Sequence, residues 1–190
     1  MFLLGLGRPP EARYKQSEGV TPRLQRVLDA LDVTPALVRT ATWDIVAWNR
    51  GANVLMPGLA KLPPQDRNLL RFMFLDPRAQ TIHPSWESTA RFVVSAFRLD
   101  MARVGASAQA RPMIDELCRR SHEFADLWQE HDSSSPALSV FREIRHPQLG
   151  ALSLEHSAFA VDGRTDLLLS VYTPMSVHDA GCIAAAVQSS

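Results

Sequence analysis

The stretch Trp-Asp-Ile-Val-Ala-Trp-Asn at positions 43–49 constrains the fold of this chain more than any other feature. Its residues are largely β-branched, aromatic or alternating in polarity, which predicts a short strand with at least one buried face. The run ends at Asn49, whose side chain can accept a hydrogen bond from a free backbone N–H at the start of a helix. Residues 50–56 offer one or two helical turns before a Pro-Gly pair stops them. The sequence therefore predicts a rigid corner made of strand, cap and short helix.

Two tryptophans belong to this corner. Trp43 and Trp48 stand an odd number of positions apart, so in a regular strand they would project from opposite faces. Each has a large apolar surface that suits either a hydrophobic core or the wall of a ligand pocket. Spacing alone favours the core for both.

Composition limits the class of protein. With 190 residues, 46% of them hydrophobic and 21% charged, the chain is expected to form one globular domain with a short arm. Lys+Arg and Asp+Glu both number 20, so the chain as a whole lacks the basic field that nucleic-acid binding would use. Cys118 and Cys182 are far apart, which favours a reducing, cytoplasmic compartment. No apolar run reaches the roughly 18 residues that a membrane span needs.

Helix signals dominate most of the first two thirds of the chain. Thr21 and Pro22 are a preferred cap and first helical residue, and Asp76-Pro77 stops a helix that Pro63-Pro64 opens. The longest helix carries a continuous apolar stripe at steps of three and four residues. The predicted helices cover residues 22–31, 63–76 and 84–104, with one more beginning at Pro112 and one capped by Ser121.

Strand signals occupy both sides of this helical region. Residues 35–39 are a strand candidate that residues 40–42 would turn into the 43–49 strand. After a serine-rich loop at 133–136, alternating apolar residues predict three more strands, and a weak helix follows at 180–187. These three strands cover residues 138–144, 152–160 and 167–172. Five strands with helices inserted after the second predict an α+β fold, in which one face of a five-stranded antiparallel sheet is covered by helices.

Several motifs together carry a family resemblance. They are Pro35, Trp43-Asp44, Ala47-Trp48-Asn49, Arg67-Asn68-Leu69-Leu70, Phe74-Leu75-Asp76-Pro77, Trp86, Phe124, Leu127-Trp128, His131-Asp132, His146-Pro147, Gly150, Leu152, Leu154, Asp162-Gly163 and Val171-Tyr172-Thr173-Pro174. In this order they resemble the MmyB-like ligand-binding domain over about residues 22–175. The resemblance implies a PAS-like fold that follows a helix-turn-helix domain of the XRE type in bacterial transcription regulators. It also implies a pocket for a fatty-acid-like molecule.

The chain departs from this family at its start, because the helix-turn-helix domain would precede residue 1. Residues 1–21 are therefore expected to be a linker or arm, 22–175 the PAS-like ligand-binding domain and 176–190 a tail. Either the chain is a fragment of a longer product or it has lost DNA binding. Any contact with DNA would depend on the helix-turn-helix domain that this chain lacks.

An acyl chain needs an apolar lining and one polar group for its head. The lining candidates are Trp43, Trp48, Phe72, Phe74, Trp86, Phe97 and Leu154, although each fits an ordinary core as well. Arg67 and Arg71 lie one turn apart beside an apolar helix, and an arginine fork matches a carboxylate. Both arginines also fit a solvated surface.

Catalytic patterns are incomplete. His122-Glu123-Phe124-Ala125-Asp126 lacks the second histidine of a zinc-protease helix, and Gly5-Leu6-Gly7 lacks the third glycine of a dinucleotide fingerprint. Neither cysteine lies beside a plausible base, and no Gly-x-Ser-x-Gly elbow is present. We expect no catalytic residue, no metal site and no cofactor.

Two hypotheses remain. The first is an effector-sensing domain of a transcription regulator that binds a fatty-acid-like small molecule and forms a homodimer. The second is a ligand-free PAS-like module for protein interaction or dimerisation. A filled pocket favours the first, and a close-packed core with an apolar dimer patch favours the second. An enzyme is disfavoured because no catalytic constellation is present.

Overall fold

The computed structural model describes residues 19–130 and 140–189. As the sequence predicts, two strands come after the first helix, a helical region follows, and three strands come after it. The elements are helix α1 (Pro22–Ala30), strands β1 (Ala36–Thr40) and β2 (Ile45–Trp48), helices α2 (Arg50–Leu55), α3 (Leu69–Leu75), α4 (Arg78–Ile82), α5 (Trp86–Val104), α6 (Ser107–Arg120) and α7 (His122–Gln129), strands β3 (Val140–His146), β4 (Gly150–Val161) and β5 (Arg164–Pro174), and helix α8 (Val177–Gln188), with short 3-10 helices at Leu59–Lys61 and Pro64–Asp66.

The strands form one five-stranded sheet in the order β2-β1-β5-β4-β3, and every neighbouring pair is antiparallel. The prediction of an α+β fold with a five-stranded antiparallel sheet is confirmed. The face that carries Leu37, Leu154 and Tyr172 is here called the inner face. On the opposite, outer face, Ala36 and Val38 pack with Leu28 of α1. Helix α1 thus covers part of the outer face, while the other helices lie on the inner side.

The helical layer has a core of its own. Phe74, Phe97 and Phe124 are buried there, and Trp128 stacks on Phe124 with ring centroids 5.7 Å apart. Phe74 meets Phe124 edge to face at 5.0 Å and Trp86 at 5.9 Å. Such edge-to-face pairs add to the stabilisation that burial alone provides. No helix in the described part of the chain is both long and apolar enough to cross a membrane.

Trp43 does not belong to a strand, so that part of the sequence prediction is wrong. It occupies the turn between β1 and β2 with a φ of +64°, in the left-handed region. The Asp44 carboxylate accepts hydrogen bonds from the Thr42 hydroxyl at 2.6 Å and from the Asn68 amide at 2.8 Å. These contacts hold a tight turn, and burial of the indole, 5% exposed, offsets a backbone strain of about 1–3 kcal/mol.

Two predicted helix starts are also wrong. Between 63 and 76 the structure has a 3-10 turn and then an extended Asn68, whose side chain accepts from the backbone N–H groups of Leu70 and Arg71 and so starts α3. Helix α4 was not predicted. Helix α6 begins at Ser107, and Pro112 lies inside it. Burial of Ala110 extends the apolar face of α6 upstream of the proline, which compensates for the lost hydrogen bond.

The C-terminal strands follow the prediction, although Leu138 and the serine-rich loop lie outside the described residues. Helix α8 is longer than the predicted weak helix, and it is well packed. Its Ile183 and Val187 are buried with Ile144 and Leu152 of the sheet, and the Arg50 guanidinium donates to the Val187 carbonyl at 2.5 Å.

The predicted cap at Asn49 is confirmed, and its amide does more than start a helix. Its Oδ1 accepts from the backbone N–H of Ala52 at 2.9 Å and of Ala36 at 3.0 Å. Its Nδ2 donates to the carbonyls of Leu28 at 3.3 Å and Thr34 at 2.8 Å. One buried side chain therefore joins α1, β1 and α2.

Replacing Asn49 by alanine should lower the free energy of unfolding by about 3 kcal/mol, because a cap is lost and buried backbone groups lose partners. Urea denaturation measures the change. Thr21→Ala is the matched control, since Thr21 caps α1 with a single 3.3 Å hydrogen bond at the surface. It should cost about 1 kcal/mol or less. Equal losses in the two variants would contradict this account.

His146 fixes the turn between β3 and β4. Its Nδ1 accepts from the backbone N–H groups of Gln148 at 3.2 Å and Leu149 at 3.1 Å, so the ring proton lies on Nε2 and is donated to the Val54 carbonyl at 3.0 Å. Burial lowers the pKa of His146 below the ordinary 6.5, against a smaller opposing effect of the Val54 carbonyl. Protonation of Nδ1 would turn an acceptor into a donor facing two other donors.

The contribution of His146 to stability should therefore be complete above the ordinary pKa of 6.5 and decline as the pH falls through it, because the unfolded chain then binds the proton more readily. Urea denaturation at about pH 7.5 and about pH 5.5 measures the change. His146→Asn keeps an acceptor oxygen but does not titrate, so it should show a smaller loss. If the His146→Asn variant loses as much stability between these two pH values as the natural protein does, His146 is not the source of the pH dependence.

Candidate functional site

A cavity of about 360 Å³ lies between the inner face of the sheet and the helices. Its lining is mainly apolar. The sheet contributes Arg39, Ile45, Ile144, Leu154, His156 and Tyr172. The helices contribute Leu55 from α2, Leu69, Phe72 and Met73 from α3, Arg78 and Ile82 from α4, and Thr89, Phe92 and Val93 from α5. The remaining segments contribute Trp43, residues 56–59, Leu62, 66–68, His83 and Pro147.

The cavity exists because the segment before α3 is attached to the edge of the sheet. The N–H of Ile45 donates to the Arg67 carbonyl at 2.7 Å, and the N–H of Leu69 donates to the Trp43 carbonyl at 3.1 Å. Helix α3 therefore starts beside β2 and passes over the inner face. Gly58, with a φ of +93°, allows the sharp turn that follows α2. Exposed residues at 57, 58, 62 and 66 form a mouth on this side.

The nine predicted ligand-binding residues separate into two groups. Trp43, Arg67, Phe72 and Leu154 line the cavity. Trp48, Arg71, Phe74, Trp86 and Phe97 do not belong to its lining. Trp48 packs with Leu37 and Ile45 beside the cavity, and the other three aromatic residues lie in the core of the helical layer.

Arg71 joins two helices. Its Nη2 and Nε donate to the Glu116 carboxylate at 2.7 and 3.2 Å, and its Nη1 donates to the Gln65 carbonyl at 2.7 Å. The guanidinium also holds the pKa of the Glu116 carboxyl below its ordinary value, chiefly through this hydrogen bond. Arg71 thus fastens α3 to α6.

Arg67 lies half-buried at the mouth. Its Nε donates to the Leu62 carbonyl at 2.8 Å and its Nη2 to the Ala60 carbonyl at 3.3 Å. The guanidinium carbon lies 5.1 Å from the ring centroid of Trp48. Within residues 19–130 and 140–189, Arg67 forms no ion pair, and its Nη1 donates no hydrogen bond.

The other two arginines of the lining are ion-paired. Arg78 binds Asp76 at 2.6 Å, and this hydrogen bond holds the pKa of the Asp76 carboxyl below its ordinary value. Arg39 binds Asp100 at 2.7 Å and is 3% exposed. The sequence prediction omitted Arg39, although a charged residue inside the apolar run Ala-Leu-Val-Arg-Thr was a usable signal.

The sequence prediction also omitted a cluster of three aromatic side chains that line the cavity. The His156 ring lies 5.1 Å from the Tyr172 ring and 6.3 Å from the Phe92 ring, and all three residues line the cavity. His156 and Tyr172 face each other across β4 and β5. Only the strand register shows that they share a face. Among the residues described, no group of three or more His, Cys, Asp or Glu side chains could hold a metal ion.

A five-stranded sheet and a helical layer that enclose an apolar cavity are typical of a ligand-binding domain rather than of a close-packed structural one. The sequence matches the family of the MmyB-like transcription regulator ligand binding domain over residues 20–181, so the chain belongs to this family. The family resemblance inferred from the sequence is thereby confirmed. No curated protein gives a significant match.

Two adjacent valines of α5 test how much space the cavity offers. Val93 lines the cavity, whereas Val94 is 1% exposed in the core of the helical layer and outside the cavity lining. Val93→Phe should change the free energy of unfolding by less than about 1 kcal/mol, because the larger ring enters empty space. Val94→Phe should cost about 1–3 kcal/mol through overpacking. Urea denaturation compares them, and equal costs would mean that no usable space adjoins Val93.

Proposed function

We propose that this domain is the effector-sensing part of a bacterial transcription regulator and that it binds a fatty-acid-like small molecule in the cavity. One observation carries the proposal: an apolar cavity opens beside a guanidinium, that of Arg67, which forms no ion pair with the described residues. The volume of the cavity, about 360 Å³, lies in the usual range of ligand pockets, roughly 300–1,000 Å³.

The lining suits an acyl chain. Phe72, Val93, Ile144 and Leu154 are apolar and belong to four different elements, so a chain between them would lose contact with water on all sides. The carboxylate would remain at the mouth beside Arg67. There a charge-assisted hydrogen bond from Nη1 would complete the arginine's contacts, and Trp48 would keep the guanidinium oriented.

Binding regulates only if the ligand has different affinities for two states of the protein. The cavity is enclosed by both the sheet and helices α3–α5, so occupancy favours arrangements in which these layers stay apart. In a regulator, the helix-turn-helix domain outside this chain would convert that preference into altered DNA binding. Under this proposal the domain acts in the cytoplasm and carries out no reaction.

Native mass spectrometry with solvent extraction tests the proposal directly. A stoichiometric adduct of fatty-acid mass is expected in the purified protein, or a thermal shift when dodecanoic acid is added. Arg67→Ala should weaken dodecanoate binding about tenfold or more, since a charge-assisted hydrogen bond is lost. Arg71→Ala is the matched control: it should reduce stability and leave the affinity nearly unchanged. An apo mass without any thermal shift from octanoic to tetradecanoic acid would refute the proposal.

A second candidate, a homodimerisation module, has one observation in its favour. Phe159 on the outer face is 54% exposed, and Val161, Leu169 and Val171 beside it are only half-buried. An exposed apolar patch of this kind is typical of an interface. Sedimentation over a range of concentrations distinguishes a dimer from a monomer. The two functions are compatible, because the patch and the cavity lie on opposite faces of the sheet.

A further inference from the structure

Arg39 is a charged residue in the middle of the most buried strand. Every residue of β1 is buried, and Arg39 lies between Ile45 of β2 and Leu168 of β5. It is nevertheless part of the cavity lining. A guanidinium in such surroundings is costly unless it is paired and hydrogen-bonded, so the position calls for a specific reason.

Two partners hold the Arg39 side chain in place. Its Nη1 donates to Asp100 Oδ2 at 2.7 Å, and the same oxygen accepts from Trp43 Nε1 at 2.9 Å. The guanidinium carbon lies 4.2 Å from the centroid of the Trp43 ring, in cation–π contact. Asp100 belongs to α5 and Trp43 to the turn before β2, so Arg39 has little freedom to reorient.

Most of the hydrogen-bonding capacity of Arg39 remains unused. A guanidinium has five N–H donors. Within residues 19–130 and 140–189, the Arg39 side chain donates one hydrogen bond, the one to Asp100. Because Arg39 lines the cavity, its other donors are available to a molecule there. A polar group of the ligand that accepts from them would form a hydrogen bond to a charged donor, which contributes more than a hydrogen bond between neutral groups.

The net charge of the Arg39–Asp100 pair determines which polar group of a ligand can bind beside Arg39. Arg39 and Asp100 together are neutral, so a second carboxylate placed against them would be a buried charge without a counter-ion. A hydroxyl or carbonyl oxygen accepts the same hydrogen bond and brings no charge. We propose that Arg39 recognises a neutral oxygen atom, and that the effector is an acyl chain carrying a hydroxyl or carbonyl group in addition to its carboxylate. This inference rests on the proposed function.

The two arginines are placed for a ligand with two polar groups. Ile45 pairs with Arg39 on one side and bonds to the backbone of Arg67 on the other, so about two strand spacings, roughly 10 Å, separate their backbones. The side chains diverge, because Arg39 lies over Trp43 and Arg67 over Trp48. An acid of medium length can contact Arg67 with its carboxylate and Arg39 with an oxygen further along the chain.

Isothermal titration calorimetry with defined probes tests the inference. Octanoic, decanoic and dodecanoic acids are each compared with their terminally hydroxylated and dicarboxylic counterparts. At one or more lengths the hydroxy acid should bind the natural protein about tenfold more tightly than both the plain acid and the diacid. The double variant Arg39→Met/Asp100→Asn leaves no unpaired charge and keeps an acceptor for Trp43. It should bind the hydroxy acid and the plain acid equally.

Every other outcome contradicts one specific step of the inference or of the proposed function. Equal affinity of the natural protein for plain and hydroxy acids at every length refutes the role of Arg39 and leaves the fatty-acid proposal standing. A preference for the diacid refutes the neutrality argument. A hydroxyl preference that persists in a folded double variant, checked by circular dichroism, assigns recognition to another residue. If no probe binds, both the inference and the proposed function fail. The comparison in the natural protein needs no variant.

Discussion

Two buried asparagines determine how the chain passes from sheet to helices. Asn49 ends β2 and joins α1, β1 and α2 through four hydrogen bonds of one amide. Asn68 starts α3 and donates to the Thr42 carbonyl and the Asp44 carboxylate in the turn of the β1–β2 hairpin. Each saturates backbone groups that have no other partner at a helix start. Both helices therefore leave the sheet at defined points of one hairpin.

The position of the cavity follows from the two points at which α2 and α3 leave the β1–β2 hairpin. Helix α2 leaves from the end of β2, and α3 returns over the inner face from the segment bonded to Ile45. The helical layer is held together by its own aromatic core, and a space remains open between this core and the sheet. Its polar groups lie at different depths, Arg67 at the mouth and Arg39 in the floor. A ligand with an apolar middle and two polar points fits this distribution.

Local signals in the sequence predicted the elements whose cause is local. The Asn49 cap, the Thr21 cap with Pro22, and the period-two strands of the C-terminal half all appear where short-range chemistry places them. The predictions that were wrong concern features with long-range causes. Trp43 leaves the strand because Asp44 is bound by Asn68, which is distant in sequence, and α6 runs through Pro112 because its apolar side is buried in the helical core. No window around either residue contains that information.

The sequence by itself determined the α+β class, the strand–cap–helix corner and the family, because these depend on periodicity, capping chemistry and ordered motifs. Only the tertiary structure decided which residues line the cavity. Phe72 does and Phe74 does not, although both belong to the same short helix. The physical reason is that an apolar lining and an apolar core have the same composition, and they differ only in whether a neighbouring layer fills the space beside the side chain.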